Sequence, residues 1–269
     1  MNSKWVAGNY FITTCFLIVP LFFASYSFSQ SYNQSSKQPV RFRMLVLAEN
    51  GGHHIEFTKA AKPWLNNLAT DSNFAVDYIV NPNDIDSAYL SHYNLFLQLD
   101  YAPYGWPDKA TKAIQNYIEK GSGGWIGLHH ASLIGEFDGF PVWTWWYHFM
   151  GSIRWKDYIP GFADGKVVNE DSSHPVMKGL PPHFLIEKEE WYTYDRSPRP
   201  NVHVLASVDE SSYQPASAVT MGDHPVIWTN EKVKARNVYI FMGHSPLLFQ
   251  NSYYTILLRN AIFWAVGKK

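Results

Sequence analysis

The chain has 269 residues, is 46% hydrophobic and 17% aromatic, and carries a formal net charge of −1. That length suits one large domain or two small ones, with enough apolar residues for a substantial core. Near-neutrality gives no long-range reason to bind nucleic acid.

In chain order, Lys4 and the apolar run 11–23 lead to Ser27-Phe28-Ser29, small residues at the positions a signal peptidase reads. The expectation is a signal peptide over residues 1–29, cleaved before Gln30, a polar linker over 30–40, and a single domain over 41–269. The apolar run is shorter than the roughly 20 residues of a spanning helix, so no stable span is expected after cleavage. The protein is read as secreted or periplasmic. Cys15, the single cysteine, leaves with the leader, which removes disulfides and thiolate ligands from the mature chain.

Residues 41–48 read as a buried strand that ends at the turn Glu49-Asn50-Gly51-Gly52. Phe57, Ala60, Ala61, Trp64, Leu65 and Leu68 then mark one face of a helix, which Pro63 is expected to kink or delay. Strands are predicted over 74–80 and 93–99, a helix over 107–120 opened by Pro107 and stopped by Gly121, and a fourth strand over 124–128. This alternation implies parallel strands joined by crossovers. The runs 166–168, 184–186, 202–208, 225–228 and 238–242 are shorter and broken by turn residues, which suggests an antiparallel extension or a small β-layer. A helix over 253–266 closes the chain.

Chemistry concentrates where strands should end. His53-His54 follows the first strand, His129-His130 the fourth and His244 the last, while His224 precedes the run 225–228. Ligands of open α/β sheets bind outside the carboxyl ends of the strands, so His53, His129, His130 and His244 are site candidates. A lone turn histidine is more often a hydrogen-bonded surface group, and His174 and His203 are read that way. No spacing matches a helix-borne zinc motif. A divalent metal held by His53, His129 and His244 is therefore an option rather than a deduction. Glu190 runs into Trp191-Tyr192-Thr193-Tyr194. Aromatic surroundings would raise its pKa toward acid–base duty, and Trp191 and Tyr192 would face a sugar. The segment 143–149, rich in Trp, is read as a lid or a core helix.

Taken in order, Gly51-Gly52-His53, GSGGWIGLHHAS (121–132), SHPVMKGLP (173–181), Glu190-Trp191-Tyr192, His224-Pro225-Val226-Ile227-Trp228 and VYIFMGH (238–244) resemble the ThuA-like, or trehalose-utilisation, family. The resemblance implies a flavodoxin-like, class I glutamine-amidotransferase-like α/β fold. That fold is a mainly parallel sheet with helices on both faces and an added β-rich edge. It also implies a role in sugar catabolism, with 3-keto-sugar intermediates, and a site of His53, His129, Glu190, Tyr192 and His244. The amidotransferase relatives carry a cysteine nucleophile that this chain lacks, so glutaminase chemistry is not expected. Lys234-Ala235-Arg236-Asn237 stands where the family often has a GxGR-like turn, and the resemblance assigns His130 no role.

The resulting expectation is an enzyme acting on a glycoside or keto-sugar. His129, Glu190 and His244 would be catalytic, and His53, His130, Trp191 and Tyr192 would bind substrate. A non-catalytic sugar-binding accessory protein and a His/carboxylate metal hydrolase are the alternatives.

Overall fold

The computed structural model describes residues 8–9, 39–49 and 51–267. The expected signal peptide and most of the linker lie outside the described residues. Four parallel strands carry the first half: β1 (Arg43–Ala48), β2 (Ala75–Ile79), β3 (Leu95–Leu99) and β4 (Gly124–Leu128). β1, β3 and β4 are buried almost throughout, as expected for strands covered on both faces. Three helices follow or separate them, α1 (Ile55–Ser72), the short α2 (Ser87–Leu90) and α3 (Asp108–Lys120). α1 starts before Pro63 and continues past it, contrary to the expected late start. Pro63 faces solvent, where water can satisfy the backbone carbonyl that loses its partner. Gly121 ends α3 at φ 66°, a left-handed cap that suits glycine.

The second half begins with α4 (Thr144–Phe149), β5 (Trp155–Tyr158) and β6 (Ala163–Asn169). It continues with β7 (His183–Glu189), β8 (Tyr192–Tyr194), β9 (His203–Gln214), β10 (Pro225–Thr229), β11 (Asn237–Ile240) and α5 (Ser252–Ala265). Nine strands form one sheet in the order β2-β1-β3-β4-β11-β10-β9-β6-β7, and β5 pairs separately with β8. β11 lies parallel to β4, with Val238 beside Ile126 and Ile240 beside Leu128. From β11 outward every pairing is antiparallel. The late runs therefore extend the main sheet, apart from the β5–β8 ribbon.

The segment 143–149 is a core helix. Trp146 is fully buried, packs edge-on against Trp125 at 5.4 Å and donates its indole N–H to Ala131 O at 2.8 Å. Among the described residues, no helix is long and apolar enough to cross a membrane.

Candidate functional site

Four neighbouring parallel strands, β1, β3, β4 and β11, end at the same edge of the sheet. Beyond them lie Glu49 with His53-His54, then Asp100, then His129-His130, and finally the turn from Phe241 to His244. β7 lies at the far side of the sheet, yet the chain leaving it returns to this edge. Glu189 accepts the backbone N–H groups of His244 (2.9 Å) and Ser245 (3.2 Å), which fixes Glu190 beside them.

His129 anchors the arrangement. Its φ of 41° is left-handed, a conformation non-glycine residues adopt only under constraint. The constraint is a hydroxyl network: the His129 carbonyl accepts from Tyr192 (2.7 Å), Tyr239 (2.9 Å) and Ser132 (3.1 Å). Gly243 permits the close packing of the neighbouring turn, since a Cβ there would sit 2.7 Å from His129 Cβ. A strained residue between a parallel strand and a helical turn is also how related folds present a nucleophile; here that residue is an imidazole.

The His129 ring is fully buried. Its Nδ1 meets the Phe241 carbonyl at 3.1 Å and its Nε2 meets Glu190 Oε2 at 3.1 Å. His244 Nδ1 lies 3.2 Å from the same carboxylate oxygen. His54 is buried, with Nδ1 at 3.0 Å from Glu49 Oε2 and 3.2 Å from Asp100 Oδ2. Its ring centroid is 4.1 Å from that of His130 and 4.3 Å from that of His244. His130 stacks on His129 at 4.7 Å, and its backbone N–H donates to Asp100 at 3.3 Å.

Burial sets the protonation states. It lowers the His129 pKa to about 4, against the pull of Glu190, and drives His130 well below its ordinary value, so both imidazoles are neutral near pH 7. Burial also raises Glu189 to about 7 and Asp100 well above the usual carboxylate range, the latter reinforced by Glu49. Burial would raise Glu190 too, but the His129 and His244 imidazoles, 3.1 and 3.2 Å away, outweigh it and hold this carboxyl below the ordinary range. The expected upward shift at Glu190 is therefore reversed, because its neighbours in space are imidazoles rather than aromatic faces.

A cleft of about 390 Å³ opens over this cluster, in the range of small-molecule sites. His54, His130, Glu190 and His244 form its polar side, and Leu133, Trp155 and Tyr158 its apolar wall. A second hollow of about 610 Å³ shares His53, His54 and His130 and extends to Tyr101 and Tyr104.

Of the residues expected from sequence, His129, His130, Glu190 and His244 are brought together, and the exposed His53 stands on the rim. Trp191 and Tyr192 do not line the cleft: each side chain is 1% exposed. Trp191 turns into the core, stacks on Phe241 and donates to Ala163 O; Tyr192 lies beneath His129. The aromatic wall comes instead from β5, which periodicity did not reveal. Sequence reasoning also missed His54, Asp100 and Glu49. The available signal for Asp100 was its place at the end of a parallel strand, the criterion that selected His129. His224 is buried in the antiparallel half, with Nδ1 on Glu210 at 3.0 Å.

The family model described as "ThuA: Trehalose utilisation" matches residues 43–265. The chain belongs to the ThuA family. Membership implies a role in carbohydrate metabolism. A structure described as a ThuA-like protein from Bacteroides uniformis ATCC 8492 is similar at TM-score 0.75 and 28% identity, over 85% of this chain and 92% of that one. A second ThuA-like protein, from Parabacteroides merdae ATCC 43184, matches at TM-score 0.63 and 20% identity over 84% and 90% of the two chains. A protein described as a GMP synthase component from Thermoplasma acidophilum matches at TM-score 0.50 and 14% identity, over 82% of this chain and 92% of that one. This last likeness shows the fold alone, a glutamine-amidotransferase-like α/β sheet. No curated protein matches this ThuA-family chain.

Proposed function

We propose that this ThuA-family protein is a carbohydrate-processing enzyme acting on a glycoside or keto-sugar bound in the cleft above His129. One observation carries the reading: three imidazoles and an ionised carboxylate converge at the carboxyl edge of the parallel strands, facing the apolar wall of Trp155 and Tyr158. An aromatic wall opposite polar groups suits a sugar ring, which has an apolar face and a hydroxyl rim.

Exposure divides the roles. Glu190, His244, His54 and His130 border the cleft and are the groups a substrate touches. His129 is fully buried and reaches the cleft only through what its Nε2 faces, so it positions rather than transfers. A keto-sugar oxygen engaged by the cluster would take up negative charge as a proton leaves the neighbouring carbon. His130, neutral and on the cleft wall, is placed to accept that proton. A positioned base contributes about 10²–10⁴-fold, and stabilisation of the developing oxyanion supplies the rest.

Thermal unfolding against a panel of glycosides and keto-sugars tests the reading. A true ligand at about 100 times its Kd stabilises by roughly 2.7 kcal/mol, and the compound that shifts the transition is then assayed for turnover. Binding without turnover would leave a sugar-binding protein; no shift with any sugar would end the carbohydrate assignment. We further propose export through the N-terminal leader, which N-terminal sequencing of protein recovered outside the cytoplasm checks directly, a start at Gln30 being the expected result.

A further inference from the structure

The groups at the centre of the site are electron-pair donors turned toward one another. His54 commits Nδ1 to the Glu49 carboxylate at 3.0 Å, with the Asp100 carboxyl at 3.2 Å behind it. The Glu49 carboxylate is an acceptor, so the ring hydrogen belongs on Nδ1 and Nε2 keeps its lone pair. That Nε2 is buried and has no hydrogen-bond partner. His129 repeats the pattern: Nδ1 faces the Phe241 carbonyl, and the Nε2 lone pair faces Glu190 Oε2 at 3.1 Å. His244 brings Nδ1, buried and also without a hydrogen-bond partner, to 3.2 Å from the same oxygen. Lone pairs crowded together in a buried pocket repel unless a positive charge lies among them.

We propose that this cluster is a divalent transition-metal site with His54 Nε2, His129 Nε2, His244 Nδ1 and Glu190 Oε2 as ligands. One ligating atom from each of the four residues lies within 4.8 Å of all the others. Tetrahedral zinc, with bonds of about 2.0–2.1 Å, spaces its ligand atoms about 3.3 Å apart. The separations at Glu190, 3.1 and 3.2 Å, already match. The outer contacts fit as well. Metal-bound histidines give their other ring N–H to a carboxylate or a backbone carbonyl, and His54 and His129 do one each. Three imidazoles and one carboxylate favour zinc, cobalt, nickel or iron over magnesium or calcium, which take oxygen ligands. Glu190 and His244 are 20% and 13% exposed on the cleft side, so a sugar oxygen can approach the ion.

The proposal deepens the carbohydrate reading, because an ion here is the electrophile such chemistry needs, but its test involves no sugar. Chelator-treated full chain is titrated with Zn²⁺ by calorimetry and with Co²⁺ by visible ligand-field absorption. The expected result is one equivalent bound, with affinity lowered at least about 100-fold in His54→Ala and in His244→Gln. Asp100→Asn, which touches His54 rather than the ion, should lose roughly 10–100-fold. His203→Ala, at a histidine that also sits between two carboxylates, should bind as wild type does. Circular dichroism establishes that each variant is folded. If His54→Ala fails to fold, the partly exposed His244→Gln decides. Lack of stoichiometric binding by the wild type, or full affinity in the folded ligand variants, overturns the site. Metal binding without any sugar response would overturn the carbohydrate reading and leave the metal site standing.

Discussion

Two groups of histidines in this molecule have opposite fates. His174 and His203 lie 6.1 Å apart, ring to ring, and both ring nitrogens of His203 already have an acidic partner. His203 Nε2 pairs with Asp171 at 3.0 Å and Nδ1 with Glu231 at 3.2 Å, while His174 Nδ1 accepts the Val176 N–H and its ring rests against Trp264. His54, His129 and His244 also have polar neighbours, but their remaining nitrogens converge on a single carboxylate oxygen or on no partner at all. Histidines beside acids are therefore not in themselves a site. Unused lone pairs that meet in a buried place are what the proposed metal site rests on, and arranging that takes several strand ends.

The largest effect should separate the two groups by activity. Once a substrate is in hand, His130→Ala, which removes the proposed proton acceptor, should cut turnover by roughly 10²–10⁴-fold, while His203→Ala stays within about twofold of wild type. Equal losses would erase the distinction.

The next effect concerns protonation, measured as unfolding free energy against pH in chelator. The folded pKa of His129, about 4, lies below its ordinary 6.5. The unfolded chain takes the proton first, so this group makes stability fall as pH drops from 6.5 toward 4, by up to roughly 3 kcal/mol. Glu189 has the opposite sign. Its folded pKa of about 7 exceeds the ordinary 4.5, so its contribution falls as pH rises through that interval. The two oppose each other between about pH 4.5 and 6.5. Glu189→Gln should expose the His129 slope, with stability dropping more steeply on acidification than in wild type. A flatter profile in the variant would contradict the burial argument.

Smaller still is the cost of loosening His129 from beneath. Tyr239→Phe removes one hydroxyl from the network on the His129 carbonyl and should cost about 1–3 kcal/mol in denaturant unfolding. The smallest effect is His203→Ala, expected to cost about 0–1 kcal/mol because its ion pairs are half exposed. A reversed ranking would mean that the surface group, and not the buried one, bears on the fold.

Much of this contrast was legible in the chain. The parallel half, the helix faces and the placing of His129 and His244 at strand ends follow from hydrophobic periodicity and turn residues. The reading of His174 and His203 as ordinary rests instead on how often a turn histidine is only a hydrogen-bonded surface group. Periodicity failed where an element is too short to show a period, as in β5, which supplies the aromatic wall. It also failed between neighbours in sequence. Nothing local makes His54 rather than His53 turn inward, because that choice depends on Glu49 and Asp100. Trp191 and Tyr192 were expected at the sugar because they adjoin Glu190, yet both are buried in the core, Trp191 stacked on Phe241 and Tyr192 beneath His129.

The sequence by itself determined the family, the α/β class and the edge at which the histidines collect, since these rest on pattern within short windows. Only the tertiary structure decided which histidines share a centre, and that Glu190 is ionised rather than protonated. The physical reason is that lone-pair direction and local dielectric belong to neighbours in space. Here those neighbours lie 61 positions apart for Glu190 and His129, and 112 apart for His129 and Phe241.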